Sequence, residues 1–239
     1  MSTISVIRHG QASFLAENYD RLSAVGERQA RLLGEYWLKE GVMFDQVVYG
    51  PAERQIRTGE IVGDLYRQAG LTWPSPVMDP DFDEFPAEPV VRRFLPELMA
   101  RYPALAASMT QFQAATEVRV KQRLFDRVLR EVSQRWLEGE VGAPDIPSWH
   151  DFCHRVEAAL GRVREGAGKS ARIAVFTSGG PTAVTARVAL ELSYAATLEL
   201  TWSPRNASVS EFLFTKDRFS LSTFNTTPHL TDPALLTYR

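Results

Sequence analysis

The sequence predicts a three-layer α/β/α fold, with a mostly parallel sheet, an antiparallel edge and a helical insertion. Three observations predict it. A strand–loop–helix unit occurs three times, two β-rich runs close the chain, and a proline-punctuated helical segment interrupts the rhythm.

The first unit begins with the β-branched run Thr3-Ile-Ser-Val-Ile7 and breaks at Arg8-His9-Gly10, where glycine permits a sharp backbone departure. Ala30, Leu33, Gly34 and Trp37 then recur at helical spacing between Gly26 and Leu38, with Gly41 as the stop. The second unit runs from Phe44–Tyr49 through Gly50-Pro51 into a helix carrying Arg54, Ile61, Leu65 and Tyr66, ending near Gly70. In the third, Arg172–Thr177 leads through Ser178-Gly-Gly-Pro181 into a helix to Leu192, proline suiting its first turn. Val209–Thr215 and Phe219–Phe224, split by Lys216-Asp-Arg218, read as a closing hairpin. Residues 85–147 form the insertion, a helical cap within a single domain spanning 1–239. Its apolar stripe of Val118, Phe125, Val128, Leu129, Val132 and Trp136 reads as core.

Composition narrows the function. With 44% hydrophobic and 23% charged residues and a formal charge of −2, nothing indicates disorder or a nucleic-acid-binding field. A start without a long apolar core, and no later apolar run of spanning length, predict a cytoplasmic protein with no membrane partner. Cys153, the single cysteine, fits a small apolar position and excludes an intramolecular disulfide.

In such a sheet, chemistry gathers where carboxyl ends of strands meet helix starts, so loops 8–14, 50–58 and 178–182 are the candidates. Arginine beside histidine sets a fixed cation next to an imidazole, which suits nucleophilic attack on a phosphoryl group. A tripeptide alone also fits a solvated surface loop.

Here the chain resembles the histidine phosphatase, or phosphoglycerate mutase-like, superfamily. The resemblance rests on Arg8-His9-Gly10, on Asp20-Arg-Leu-Ser23 followed by Gly26, Gln29 and Ala30, and on Pro51, Arg54 and Thr58. Asn206-Ala-Ser-Val209 and Asn225-Thr-Thr-Pro-His-Leu230 extend it to the tail. It implies that His9 takes the phosphoryl group of a small phosphate ester, that Arg8 and Arg54 hold its oxygens, and that water releases phosphate without metal or other cofactor. It also implies a leaving-group acid in Asp79-Pro-Asp81-Phe-Asp83-Glu84, with Glu84 the best match ahead of Asp83 and Asp81, although the family's following glycine and tryptophan are missing.

The main departure is Ser178, which stands where the family has a second histidine before Gly-Gly. Ser178 and Gly179 can still bind phosphate through a hydroxyl and helix-start N–H groups. Loss of one donor predicts slow turnover, by about 10²–10³ in rate, and predicts that Ser178→His raises activity. Gln11, Ser13, Arg21 and Arg57 are candidate substrate contacts, the two arginines fitting surface ion pairs equally well. His150 and His154, four residues apart, lack the rest of a metal shell, and His229 reads as structural. Two other functions stay open. A phosphoglycerate mutase is disfavoured by Gln11-Ala-Ser-Phe-Leu15 after the tripeptide, and a noncatalytic phosphate-binding scaffold is suggested by Ser178.

Overall fold

The computed structural model describes residues 1–13 and 20–238. Phe14 and Leu15, read above against a mutase, lie outside the described residues. In chain order the elements are β1 (Ser2–Arg8), α1 (Ala24–Lys39), β2 (Gln46–Tyr49), α2 (Glu53–Gln68), β3 (Val77–Met78), α3 (Ala87–Arg101), α4 (Pro103–Ala114), α5 (Val118–Leu137), α6 (Trp149–Glu165), β4 (Arg172–Thr177), α7 (Gly179–Leu190), α8 (Tyr194–Leu200), β5 (Val209–Phe214) and β6 (Phe219–Thr226). The chain divides into two compact units, residues 1–84 with 154–239 and residues 85–153.

The first unit holds a six-stranded sheet in the order β3-β2-β4-β1-β5-β6. The strands β3, β2, β4 and β1 are parallel, while β5 and β6 run antiparallel at one edge, as the closing hairpin predicts. In β1 and β4, Ile4, Val6, Ile7 and Ile173–Phe176 are all buried, which is why these strands read as continuous apolar runs rather than alternating ones. Ile7, Leu33, Trp37, Tyr49, Tyr66, Trp73 and Phe176 share one core. Trp37 meets Phe44 edge-on at 4.9 Å between ring centroids, and Tyr49 meets Phe176 at 5.6 Å.

Local chemistry sets the helix starts. Ser23 caps α1 by accepting from the Gly26 N–H, and its own hydroxyl donates to Gln11 Oε1 at 2.9 Å. Glu53 N donates to Asp20 Oδ2 at 2.8 Å, so an acidic side chain from the loop between β1 and α1 satisfies a donor at the start of α2.

The second unit consists of α3, α4, α5 and the beginning of α6. Phe85, Trp136, Trp149 and Phe152 form its aromatic centre, with Val90, Phe94, Leu98, Val128, Leu129 and Val132 also buried. Val118, expected in the apolar stripe, is exposed in the first turn of α5, and Phe125 is only part-buried against Phe112. The two-residue β3 and the seven-residue α8 are too short to show a period in the sequence.

Candidate active site

Three strand ends meet in the first unit. Arg8 pairs in register with Thr177, His9 N donates to Thr177 O at 2.8 Å, and Gly50 N donates to Phe176 O at 3.0 Å. The loops leaving β1, β2 and β4 are thereby fixed side by side. The tripeptide is held from further directions: Gly10 N donates to Thr58 Oγ1 at 3.1 Å, and the Thr58 hydroxyl donates to Arg54 O at 2.7 Å. Ala207 N donates to His9 O at 3.1 Å. Only glycine fits at position 10, because a Cβ there would overlap the Gly26 carbonyl.

His9 is 4% exposed, and both ring nitrogens are occupied. Nδ1 lies 2.7 Å from Gly10 O, and Nε2 lies 3.1 Å from Arg54 Nε. A guanidinium can only donate and a carbonyl can only accept, so the proton sits on Nδ1 and Nε2 carries the lone pair. Burial, then the charges of Arg54 and Arg8, hold this imidazole well below its ordinary pKa of 6.5, with the Gly10 carbonyl opposing in part. The ring is therefore a neutral imidazole in the field of two cations.

Arg54 is 12% exposed in its side chain and also donates from Nη1 to Asp20 Oδ1 at 2.5 Å. One carboxylate thus caps α2 and aims the guanidinium that α2 carries. Arg8 Nη1 donates to Pro204 O. At Gly179 a Cβ would lie 3.0 Å from Thr201 O, 3.8 Å from Arg8 Nε and 3.9 Å from Glu84 Oε2, so glycine keeps open the space between that cation and that carboxylate.

The acidic run sorts itself by partners. Glu84 sits at the start of α7, where both its oxygens accept from Gly180 N, at 3.1 and 3.2 Å. Asp81 pairs with Arg162 at 2.6 Å, and Asp83 Oδ1 accepts from Glu84 N at 2.8 Å. Among the three, Glu84 is the one set against the α7 start beside Arg8.

The remaining expected residues have partners of their own. Ser178 is fully buried, and its hydroxyl accepts from Gln55 Nε2 at 2.7 Å. Arg21 is exposed and paired with Glu53, and Arg57 is paired with Glu27 and Glu60. The Gln11 side chain is tied to Ser23, and Ser13 N donates to Arg21 O at 2.8 Å. His154 Nε2 meets Tyr194 OH at 3.1 Å, and among the described residues no group of three or more His, Cys, Asp or Glu could hold a metal ion. Buried Cys153 lies in the apolar start of α6. Gln55 was not singled out from the sequence, because a glutamine in a polar helix turn carries no local signal.

A neutral, tautomer-fixed imidazole against one guanidinium and in the field of a second, with a carboxyl group at a helix start in the same unit, is an arrangement chemically suited to nucleophilic phosphoryl transfer. The family model described as Histidine phosphatase superfamily (branch 1) matches residues 120–227, a stretch that includes Ser178 but not the His9 loop. The structure resembles phosphoglycerate mutase from Bacillus anthracis with a TM-score of 0.63 at 16% identity, covering 96% of this chain and 95% of that one. It resembles a mutant phosphoserine phosphatase from Entamoeba histolytica, in complex with phosphoserine, with a TM-score of 0.63 at 17% identity, over 96% and 100% of the two chains. A mycobacterial glucosyl-3-phosphoglycerate phosphatase with inorganic phosphate gives 0.61 at 17% identity, over 97% and 100%. No curated protein sequence matches significantly. The match over residues 120–227 and the shared fold make this chain similar to the histidine phosphatase superfamily. Among the described residues no helix is long and apolar enough to cross a membrane.

Proposed function

We propose that this protein is a metal-independent phosphomonoesterase that passes a phosphoryl group from a small phosphate ester to His9 and then to water. The observation that carries the reading is the double constraint on His9, with Nδ1 held to Gly10 O and Nε2 facing Arg54. An arriving phosphate draws Arg54 Nε from the imidazole to one of its oxygens, which uncovers the lone pair at the moment the ester is in place. Arg8 neutralises a second oxygen. With a loose phosphoryl transition state, such positioning and charge neutralisation account for most of the barrier lowering.

The bonds balance in two steps. Nε2 attacks phosphorus, the bond to the ester oxygen breaks, and the leaving oxygen takes a proton from the Glu84 carboxyl group. Water then attacks the phosphohistidine and gives its proton to the Glu84 carboxylate, so the P–N bond breaks and phosphate leaves. The contact between Glu84 and the α7 start gives way in this cycle, freeing the Gly180 N–H for phosphate oxygen. Proteins of this fold include one solved with phosphoserine and one with inorganic phosphate, which supports a small phosphorylated substrate.

The test is phosphate release from a panel of small phosphomonoesters by wild type and His9→Ala, beside an assay of phosphoglycerate isomerisation. Release that disappears with His9→Ala supports the proposal. Isomerisation outpacing release points to a mutase, and turnover that survives His9→Ala removes His9 as the nucleophile.

A further inference from the structure

The buried contact between Gln55 and Ser178 belongs to none of the roles above. Gln55 lies in the first turn of α2, next to Arg54, with no exposed surface. Its Oε1 accepts from Ala52 N at 3.1 Å, and its Nε2 donates to Ser178 Oγ at 2.7 Å, with Phe82 O at 3.4 Å. The Thr177 hydroxyl donates to that same Phe82 carbonyl at 2.6 Å. One carboxamide therefore joins the start of α2, which carries Arg54, to the residue that opens α7 and to the segment that leads into Glu84. Packing is tight at its Oε1 end, where a Cβ on Gly50 would overlap it, and Ser178 at its Nε2 end is fully buried.

We propose that Gln55 is a positioning residue that acts through Ser178, and that the two together fill the volume a larger side chain at 178 would need. The Ser178 hydroxyl serves the Gln55 amide inside the protein rather than a phosphate in the pocket. An imidazole at 178 has no room beside the carboxamide, because overfilling a packed, buried position forces backbone shifts. The expectation that Ser178→His alone raises activity accordingly reverses. A histidine there becomes useful only when Gln55 is shortened. The proposal takes its kinetic readout from the phosphatase reading, and its geometric content is independent of it.

The test is a double-mutant cycle on the full chain with Gln55→Ala, Ser178→His and the pair. The readouts are steady-state hydrolysis of para-nitrophenyl phosphate across pH, titration with inorganic phosphate, and thermal melting. Each single change is expected to lower kcat by about tenfold or more, because a misplacement of a reacting group by about 1 Å can cost up to about 10²-fold, and to alter KM far less. The pair is expected to recover at least about tenfold relative to the product of the singles, a coupling of about 1.4 kcal/mol. The recovered activity should also gain a titration absent from wild type, displaced below the ordinary imidazole value because position 178 is buried.

Additive effects, or a Ser178→His protein faster than wild type, overturn the proposal. If the bulkier variants fail to fold, Ser178→Ala decides it. That variant should lose about tenfold in kcat and weaken inorganic phosphate binding, and wild-type values for both refute the positioning role. Turnover that survives His9→Ala counts against the phosphatase reading alone. In that case the Ser178→Ala phosphate titration still decides this proposal.

Discussion

Replacing Arg54 with lysine keeps the charge and removes the shape, which makes it the sharpest probe of how phosphate is held. In the resting site one planar group serves two directions, Nε to His9 Nε2 at 3.1 Å and Nη1 to Asp20 Oδ1 at 2.5 Å. An ammonium is a single compact donor group, so it satisfies Asp20 or the phosphoryl oxygen but does not span both. The loss is that of one directed donor in a site shielded from water, about 2.7–4 kcal/mol, or roughly 10²–10³ in kcat. Asp20 is 38% exposed, so the resting ion pair adds at most about 1 kcal/mol to the fold and melting should barely change. Steady-state and rapid-quench kinetics on an aryl phosphate, read beside a melting curve, measure both quantities. A kcat within about threefold of wild type at unchanged Tm would refute the assignment of Arg54 to the transferring group.

Three further outcomes follow from the same geometry. Because burial and both arginines hold His9 neutral well below pH 6.5, any acidic limb of kcat/KM due to its protonation should lie well below that value; an NMR titration of the His9 ring near 6.5 in the folded protein would contradict the electrostatics. His229, pushed down to about 4 chiefly by burial, stays neutral in the fold while the unfolded chain protonates near 6.5, so its contribution falls away as pH drops from 6.5 to 4, by about 3 kcal/mol. Urea unfolding at pH 7 and pH 4.5 should show His229→Phe losing less stability than wild type, and equal losses would refute this. Gly10→Ala drives a Cβ into the Gly26 carbonyl and should cost about 1–3 kcal/mol of stability together with most activity, and a variant of unchanged Tm and rate would show that the loop yields freely.

The parts of this structure that are legible in the sequence are those written locally. β1 and β4 announce themselves as apolar runs cut by glycine, and α1 by its period and its Ser23 cap. Arg8 and His9 stand together at a strand end, and Arg54 follows the next strand at short range, so the meeting of their loops follows from the parallel sheet. What stays hidden depends on contacts distant in sequence. Arg54 and Arg57 are three residues apart and chemically identical, yet one lies against His9 and the other pairs with Glu27. Asp81 and Glu84 are separated only by partners on α6 and α7. Ser178 reads as a phosphate ligand by position, but its hydroxyl is committed to Gln55, 123 residues away. Helix period sets which residues share a face; it does not name what that face meets.

The account stands or falls on whether one anion touches all three groups. A crystal structure with orthovanadate tests this directly, with vanadium expected at bonding distance from His9 Nε2 and its oxygens held by the guanidiniums of Arg8 and Arg54. Vanadate bound away from that imidazole, or touching only one of the two arginines, would contradict it.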